Sequence, residues 1–140
     1  ELVIFVRKNS SIEYQTMHSL AGYRSCTLYS YFYGEAFEQS NEIIKFESNS
    51  MSQCFELLLA GRVDVVFADK RVGQAELASN PQLEQNSVAI LDTPISITTL
   101  HVLWTKSLPK NKQLKQAFDE QLKLLRAQRK LDLAWQQSEK

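Results

Sequence analysis

The chain has 140 residues, 44% of them hydrophobic and 23% charged, an ordinary globular composition with enough length for one domain and a real core. Sixteen basic residues offset sixteen acidic ones, so no global charge draws it toward nucleic acid or acidic lipid. No apolar run approaches a membrane span, and the chain opens on strand-like ELVIFVR with no signal peptide, so an export signal is expected upstream of Glu1.

Taken in order, Leu2–Arg7 reads as a strand and Asn9–Ser19 as a polar connection. Arg24–Leu28 is a second strand, Tyr33–Gln39 a short helix and Ile43–Phe46 a third strand. Ser50 and Gln53 fit a capping box for a helix ending near Ala60. Val63–Ala68 is the fourth strand, Val72–Ala78 a short helix stopped before Pro81, Val88–Leu91 a short strand, and Ile97–Trp104 a longer one. Leu114, Ala117, Phe118, Leu122 and Leu125 recur at helical spacing, and a last short helix holds Leu131, Leu133 and Trp135. Alternating strands and helices predict an α/β fold: a mostly parallel sheet with helices on both faces.

Two stretches carry the functional signal. In Leu57–Asp69 a helical apolar run stops at Gly61, a short β-branched run follows, and a carboxylate, Asp69, closes it. Gly past a helix end takes the left-handed conformation. A carboxylate at the carboxyl end of a parallel strand lies where open α/β sheets bind ligands. In Arg24–Phe37 a strand runs into a helix start through Tyr29–Tyr33, where four of five residues are aromatic. Such a turn offers helix N-terminal amides to an anion and rings to a pocket wall. The site expected from these stretches comprises Tyr31, Phe32, Tyr33, Gly34 and Asp69.

These residues carry a resemblance. Leu20-Ala21-Gly22 before a strand, the block of Leu58, Gly61, Asp64 and Asp69, the segment Leu103–Pro109 before a long helix, and the late Trp135 together resemble bacterial periplasmic solute-binding proteins of the polar amino-acid type, family 3. The resemblance runs from about Leu2 to Trp135. It implies one lobe of a type II periplasmic-binding-protein-like fold: crossing strands at 1–7 and 97–105, a second lobe over 8–100, and C-terminal helices over 111–137. The family's first lobe has no counterpart among these residues, so a longer protein is expected.

In the family, an Asp at the position of Asp69 contacts the ligand's α-amino group, as a carboxylate suits an ammonium. A helix N-cap is the alternative reading of Asp69. Asp64, at its strand's start, reads as structural. On the family pattern Ser30 holds the usual Gly position, and Tyr31 and Phe32 replace small hydroxyl residues. Phe32 cannot donate to a ligand carboxylate, leaving the backbone amides of Tyr33 and Gly34 to do so. The rings either suit a bulkier ligand or pack into the lobe.

The implied function is that of an ABC-transporter substrate-binding domain holding a small polar solute, such as an amino acid, between two lobes. Its partners would be the solute and a membrane transporter. The alternative is a ligand-sensing module of a signalling receptor or of a transcription regulator with the same fold. The expected location is the periplasm. No cofactor, metal site or nucleic-acid partner is expected, and no enzyme activity, since no nucleophile and base sit at catalytic spacing. His18 and His101 read as a loop and a strand residue without metal partners. Cys26 and Cys54 read as two buried thiols, with a disulfide open in an oxidising compartment. The apolar stripe of the C-terminal helix is expected to support self-association or to fold onto the sheet.

Overall fold

The computed structural model describes residues 1–83, 85–99 and 101–131. It contains five strands, β1 (Leu2–Arg7), β2 (Arg24–Leu28), β3 (Ile44–Ser48), β4 (Val65–Asp69) and β5 (Val88–Ile90). The α-helices are α1 (Glu35–Glu38), α2 (Met51–Leu59), α3 (Lys70–Ser79) and α4 (Lys110–Ala127). By contacts the chain divides into two units, Glu1–Thr98 and Thr99–Lys140.

The first unit holds the sheet, in the order β3-β2-β4-β1-β5. β2 pairs in parallel with both β3 and β4, as the alternation of strands and helices requires. β1 runs antiparallel to β4 and β5 on either side of it, so four of the five strands point one way. The sheet is therefore mixed but mostly parallel.

Both faces are covered, which explains why β1 and β4 read as continuous apolar runs. Val3, Phe5, Val66 and Ala68 face a core closed by Phe55 and Leu58 of α2 and Leu77 of α3. Ile4, Val6, Val65 and Phe67 face a second core with Leu20, Tyr33 and Phe37. α3 comes close to β1 through Gly73, where a Cβ would stand 2.3 Å from Cζ of Phe5.

The ends of α2 follow from sequence. Ser50 Oγ accepts from the Gln53 N–H at 3.4 Å, while the Gln53 side chain turns to the Ser48 hydroxyl at 2.6 Å. At the other end Gly61 has φ +69°, and the N–H groups of Gly61 and Arg62 donate to the carbonyls of Leu58 and Leu57. That is the Schellman arrangement, which needs a left-handed residue at this position.

Two expectations change. Cys26 and Cys54 are not free thiols: they form a disulfide, with Cα atoms 5.5 Å apart, joining β2 to α2 inside the first core. Packing of the helix across the strand brings the two Cβ atoms together, which spacing along the chain does not report. No strand forms over 97–99 or 101–104; the β pairing there is a single bridge from Leu2 to Ser96. Ile97 and Leu103 are exposed. Leu133, Trp135 and the end of the expected C-terminal helices at 137 lie outside the described residues.

Candidate functional site

β2 and β4 are parallel neighbours, so their carboxyl ends meet at one edge of the sheet. Their register pairs Cys26 with Val66. Continued by three residues, it sets Tyr29, the start of the aromatic turn, level with Asp69. Asp69 and the start of the aromatic turn thus lie at one edge of the sheet.

Asp69 ends β4 and is also the N-cap of α3. Its Oδ1 accepts from the N–H groups of Arg71 at 3.0 Å and Val72 at 3.4 Å. Its Oδ2 points away from the helix and accepts from the N-terminal ammonium of Glu1 at 3.2 Å. Glu1 stands there because β1 is antiparallel to β4 and begins beside β4's end. Burial works to raise the Asp69 pKa, and the Arg71 and Val72 amides work to lower it. One oxygen thus caps the helix, one of the two roles expected of this residue.

The aromatic turn divides. Ser30 has φ +63°, the left-handed conformation that glycine takes most easily. The kink there sends Tyr31 and Phe32 outward, 68% and 71% exposed, and returns Tyr33 to the interior at 5%. Tyr33 packs edge-on against Phe37 and Phe67, and its Oη accepts from the Leu28 N–H at 2.8 Å. Burial raises the Tyr33 hydroxyl above its ordinary pKa; the Leu28 contact opposes this, and the charges of Glu38 and Glu47 add to it. The Tyr33 side chain is thus a core residue and not pocket wall.

One of the two expected anion-binding amides is engaged within the protein. The Tyr33 N–H donates to Glu38 Oε1 at 3.1 Å. A carboxylate of the protein itself occupies that donor. Glu38 belongs to the four-residue α1, which Gly34 enters at φ +101°, a conformation open to glycine. Nothing in the sequence singles out Glu38 except its place one turn after the aromatic run.

The opposite edge carries the other member of the acidic block. Asp64 accepts from the Arg24 guanidinium at 2.8 and 2.9 Å and from the Arg24 N–H at 2.9 Å. Arg7 lies 3.6 Å from Asp64 and donates to the carbonyls of Leu58 and Val63, both at 2.8 Å. The hydrogen bond from Arg24 drives the Asp64 pKa down against the cost of burial. This network clamps the turn between α2 and β4, so Asp64 is structural, as expected. A cavity of about 570 Å³ opens beside it, lined by residues that include Arg7, Lys8, Ser10, Tyr23, Asp64 and Asn86.

Comparison with known proteins addresses the fold. No protein-family model matches the chain, and no curated protein does. Solved structures do. An ancestral arginine-binding protein bound to arginine matches over 97% of this chain and 58% of its own, with a TM-score of 0.66 and 21% identity. Arginine-bound ArgBP from T. maritima, as its Gly52Ala mutant, matches over 68% of this chain and 42% of its own, with a TM-score of 0.57 and 24% identity. Domain 2 of the same protein, alone, is covered over 92% of its length by 64% of this chain, with a TM-score of 0.53 and 24% identity. The chain has the fold of a solute-binding-protein lobe. It spans about two fifths of the whole T. maritima protein. Among the described residues no cluster of His, Cys, Asp or Glu could hold a metal ion, and no helix is long and apolar enough to cross a membrane.

Proposed function

We propose that this chain is a non-enzymatic solute-binding domain of the ABC-transporter type, with its ligand edge at Asp69 and the turn Tyr31–Gly34. The observation that carries the reading is the divided carboxylate of Asp69. With Oδ1 committed to the α3 amides, the half-exposed carboxylate keeps its second oxygen for another donor. A free amine bound there would make a charge-assisted contact. Tyr31 and Phe32 flank the position with exposed rings, and Tyr33 supports them from the core. The fold shared with amino-acid-binding proteins supports the class of ligand.

A second lobe closing over this edge would complete the cleft, and a membrane transporter would receive the solute. The Cys26–Cys54 bond supports an oxidising compartment such as the periplasm.

The test is isotope-edited NMR titration of the chain with small amine-bearing solutes, paired with Asp69→Asn. Asn caps a helix about as well as Asp, so stability should hold while binding weakens by about 1.5–3 kcal/mol, the scale of a charged hydrogen bond. Shifts confined to the cavity beside Asp64, or an affinity unchanged in the variant, would refute the assignment.

A further inference from the structure

One side of the sheet ends in an open strand. β3 is the first strand in the order and pairs only with β2. The Ile44 N–H donates to the Tyr23 carbonyl at 3.0 Å, and the Ser48 carbonyl accepts from the Tyr29 N–H at 3.0 Å. The carbonyls of Ile44 and Phe46 accept from the hydroxyls of Ser25 and Thr27 at 3.3 and 3.4 Å. Ile44, Phe46 and Ser48 thus turn their backbone groups to β2. Alternate residues of a strand turn theirs to opposite sides, so the N–H and C=O groups of Lys45 and Glu47 face outward. Among the described residues none bonds to them. An open row of this kind is a template for another strand.

The side chains of β3 fit one partner in particular. Phe46 lies beside Cys26, on the face that α2 covers further in, yet Ile44 and Phe46 are 51% and 45% exposed. Lys45 and Glu47 alternate with them on the other face. Two copies of β3 laid antiparallel must match outward residues with outward residues, since only these exchange hydrogen bonds. Centred on Phe46, that register sets Lys45 opposite Glu47 of a second copy, and Glu47 opposite its Lys45. Both are hydrogen-bonded pairs, and both join opposite charges. Phe46 then meets Phe46 of the second copy at a non-hydrogen-bonded position, where facing side chains come closest. Centred on Lys45 or on Glu47 instead, the strands would set lysine against lysine or glutamate against glutamate. The charge pattern therefore selects one register.

We propose that β3 is an interface between two copies of this chain, joined edge to edge about a two-fold axis at Phe46, so that one sheet runs through both. The contact is isologous: each copy gives and receives the same bonds. Backbone hydrogen bonds at Lys45 and Glu47, the cross-strand ion pairs of the same residues and the facing Phe46 rings hold it. A strand of five residues makes a small interface, and small interfaces associate weakly, so the dimer belongs to high protein concentration.

The experiment is sedimentation equilibrium of the chain up to about 1 mM, with NMR amide shifts followed over the same range. Phe118→Glu is carried in every sample to remove association through α4. This parent should show a concentration-dependent dimer, with shifts centred on the amides of Lys45 and Glu47. Lys45→Glu or Glu47→Lys alone brings like charges together and should weaken the dimer about tenfold or more. Mixed in equal amounts, the two variants oppose unlike charges at every pair and should form a heterodimer as tight as the parent's or tighter. Phe46→Asp, at an exposed position on the other face, should weaken the parent dimer to a similar degree while leaving the melting temperature unchanged. A parent that stays monomeric throughout, a dimer indifferent to these substitutions, or folded charge-reversed variants that do not associate when mixed would overturn the proposal.

Discussion

The disulfide gives the sharpest test of the structure. Cys26 on β2 and Cys54 on α2 are fully buried, and 28 residues of sequence separate them. Closing a loop of that size removes chain entropy from the unfolded state equivalent to roughly 3.5 kcal/mol at 25 °C. Replacing both residues by Ala removes that constraint and two buried sulfur atoms, so about 3–4 kcal/mol should be lost. For a unit the size of Glu1–Thr98, unfolding entropy is about 0.2 kcal/mol per degree, so the melting temperature should fall by about 15–20 °C. The assay is thermal and urea unfolding by circular dichroism, comparing the oxidised chain with Cys26→Ala/Cys54→Ala. Reduction provides a second readout. Both sulfur atoms lie inside the core, so dithiothreitol should act on the native chain only as fast as it opens, and quickly once urea is added. A melting temperature lowered by less than about 5 °C, or rapid reduction of the native chain, would refute the placement of this bond in the core.

Three further outcomes follow from particular contacts. Asp64→Asn removes the charge and one of the two acceptor oxygens of Arg24's bidentate contact and should cost about 1.5–3 kcal/mol near neutral pH in urea titrations. The Asp64 pKa is lower folded than unfolded, so its contribution is complete above about pH 4 and lost as pH falls through the lower folded value; the acid limb of stability should be shallower in the variant. Gly73→Ala drives a methyl group into the Phe5 ring and should destabilise by about 1–3 kcal/mol, whereas Phe5→Leu in the same background should recover part of the loss in the same titrations. Along α4, Leu114, Phe118 and Leu125 remain at least a third exposed; if this stripe mediates self-association, light scattering should show a concentration-dependent mass that Phe118→Glu abolishes, and a monomer in both cases would dismiss the idea.

The parts of the fold that sequence foretold are those governed by local rules. β2, β3 and β4 announced themselves because apolar runs of that length flanked by helical segments have few other uses, and Gly61 because its backbone conformation excludes most residues. The antiparallel course of β1 was not legible, since a strand's periodicity is the same in either direction. Ile97–Trp104 has a strand's composition, but a strand exists only where another edge can bond to it. The four aromatic residues of the turn look alike in sequence; the left-handed Ser30 decides that Tyr33 points inward and Tyr31 and Phe32 outward. Asp69 was found by its position after a strand. Glu38 was missed because its importance depends on which way the Tyr33 amide faces.

The bridge between Leu2 and Ser96 has a mechanical meaning. The Leu2 N–H donates to the Ser96 carbonyl at 2.9 Å, and the Ile95 N–H donates back to the Leu2 carbonyl at 2.9 Å. The first unit therefore begins and ends with two chain segments laid side by side, and β1 enters next to Asp69. Fraying at either end therefore weakens both bonds, so the first and last segments of this unit loosen together.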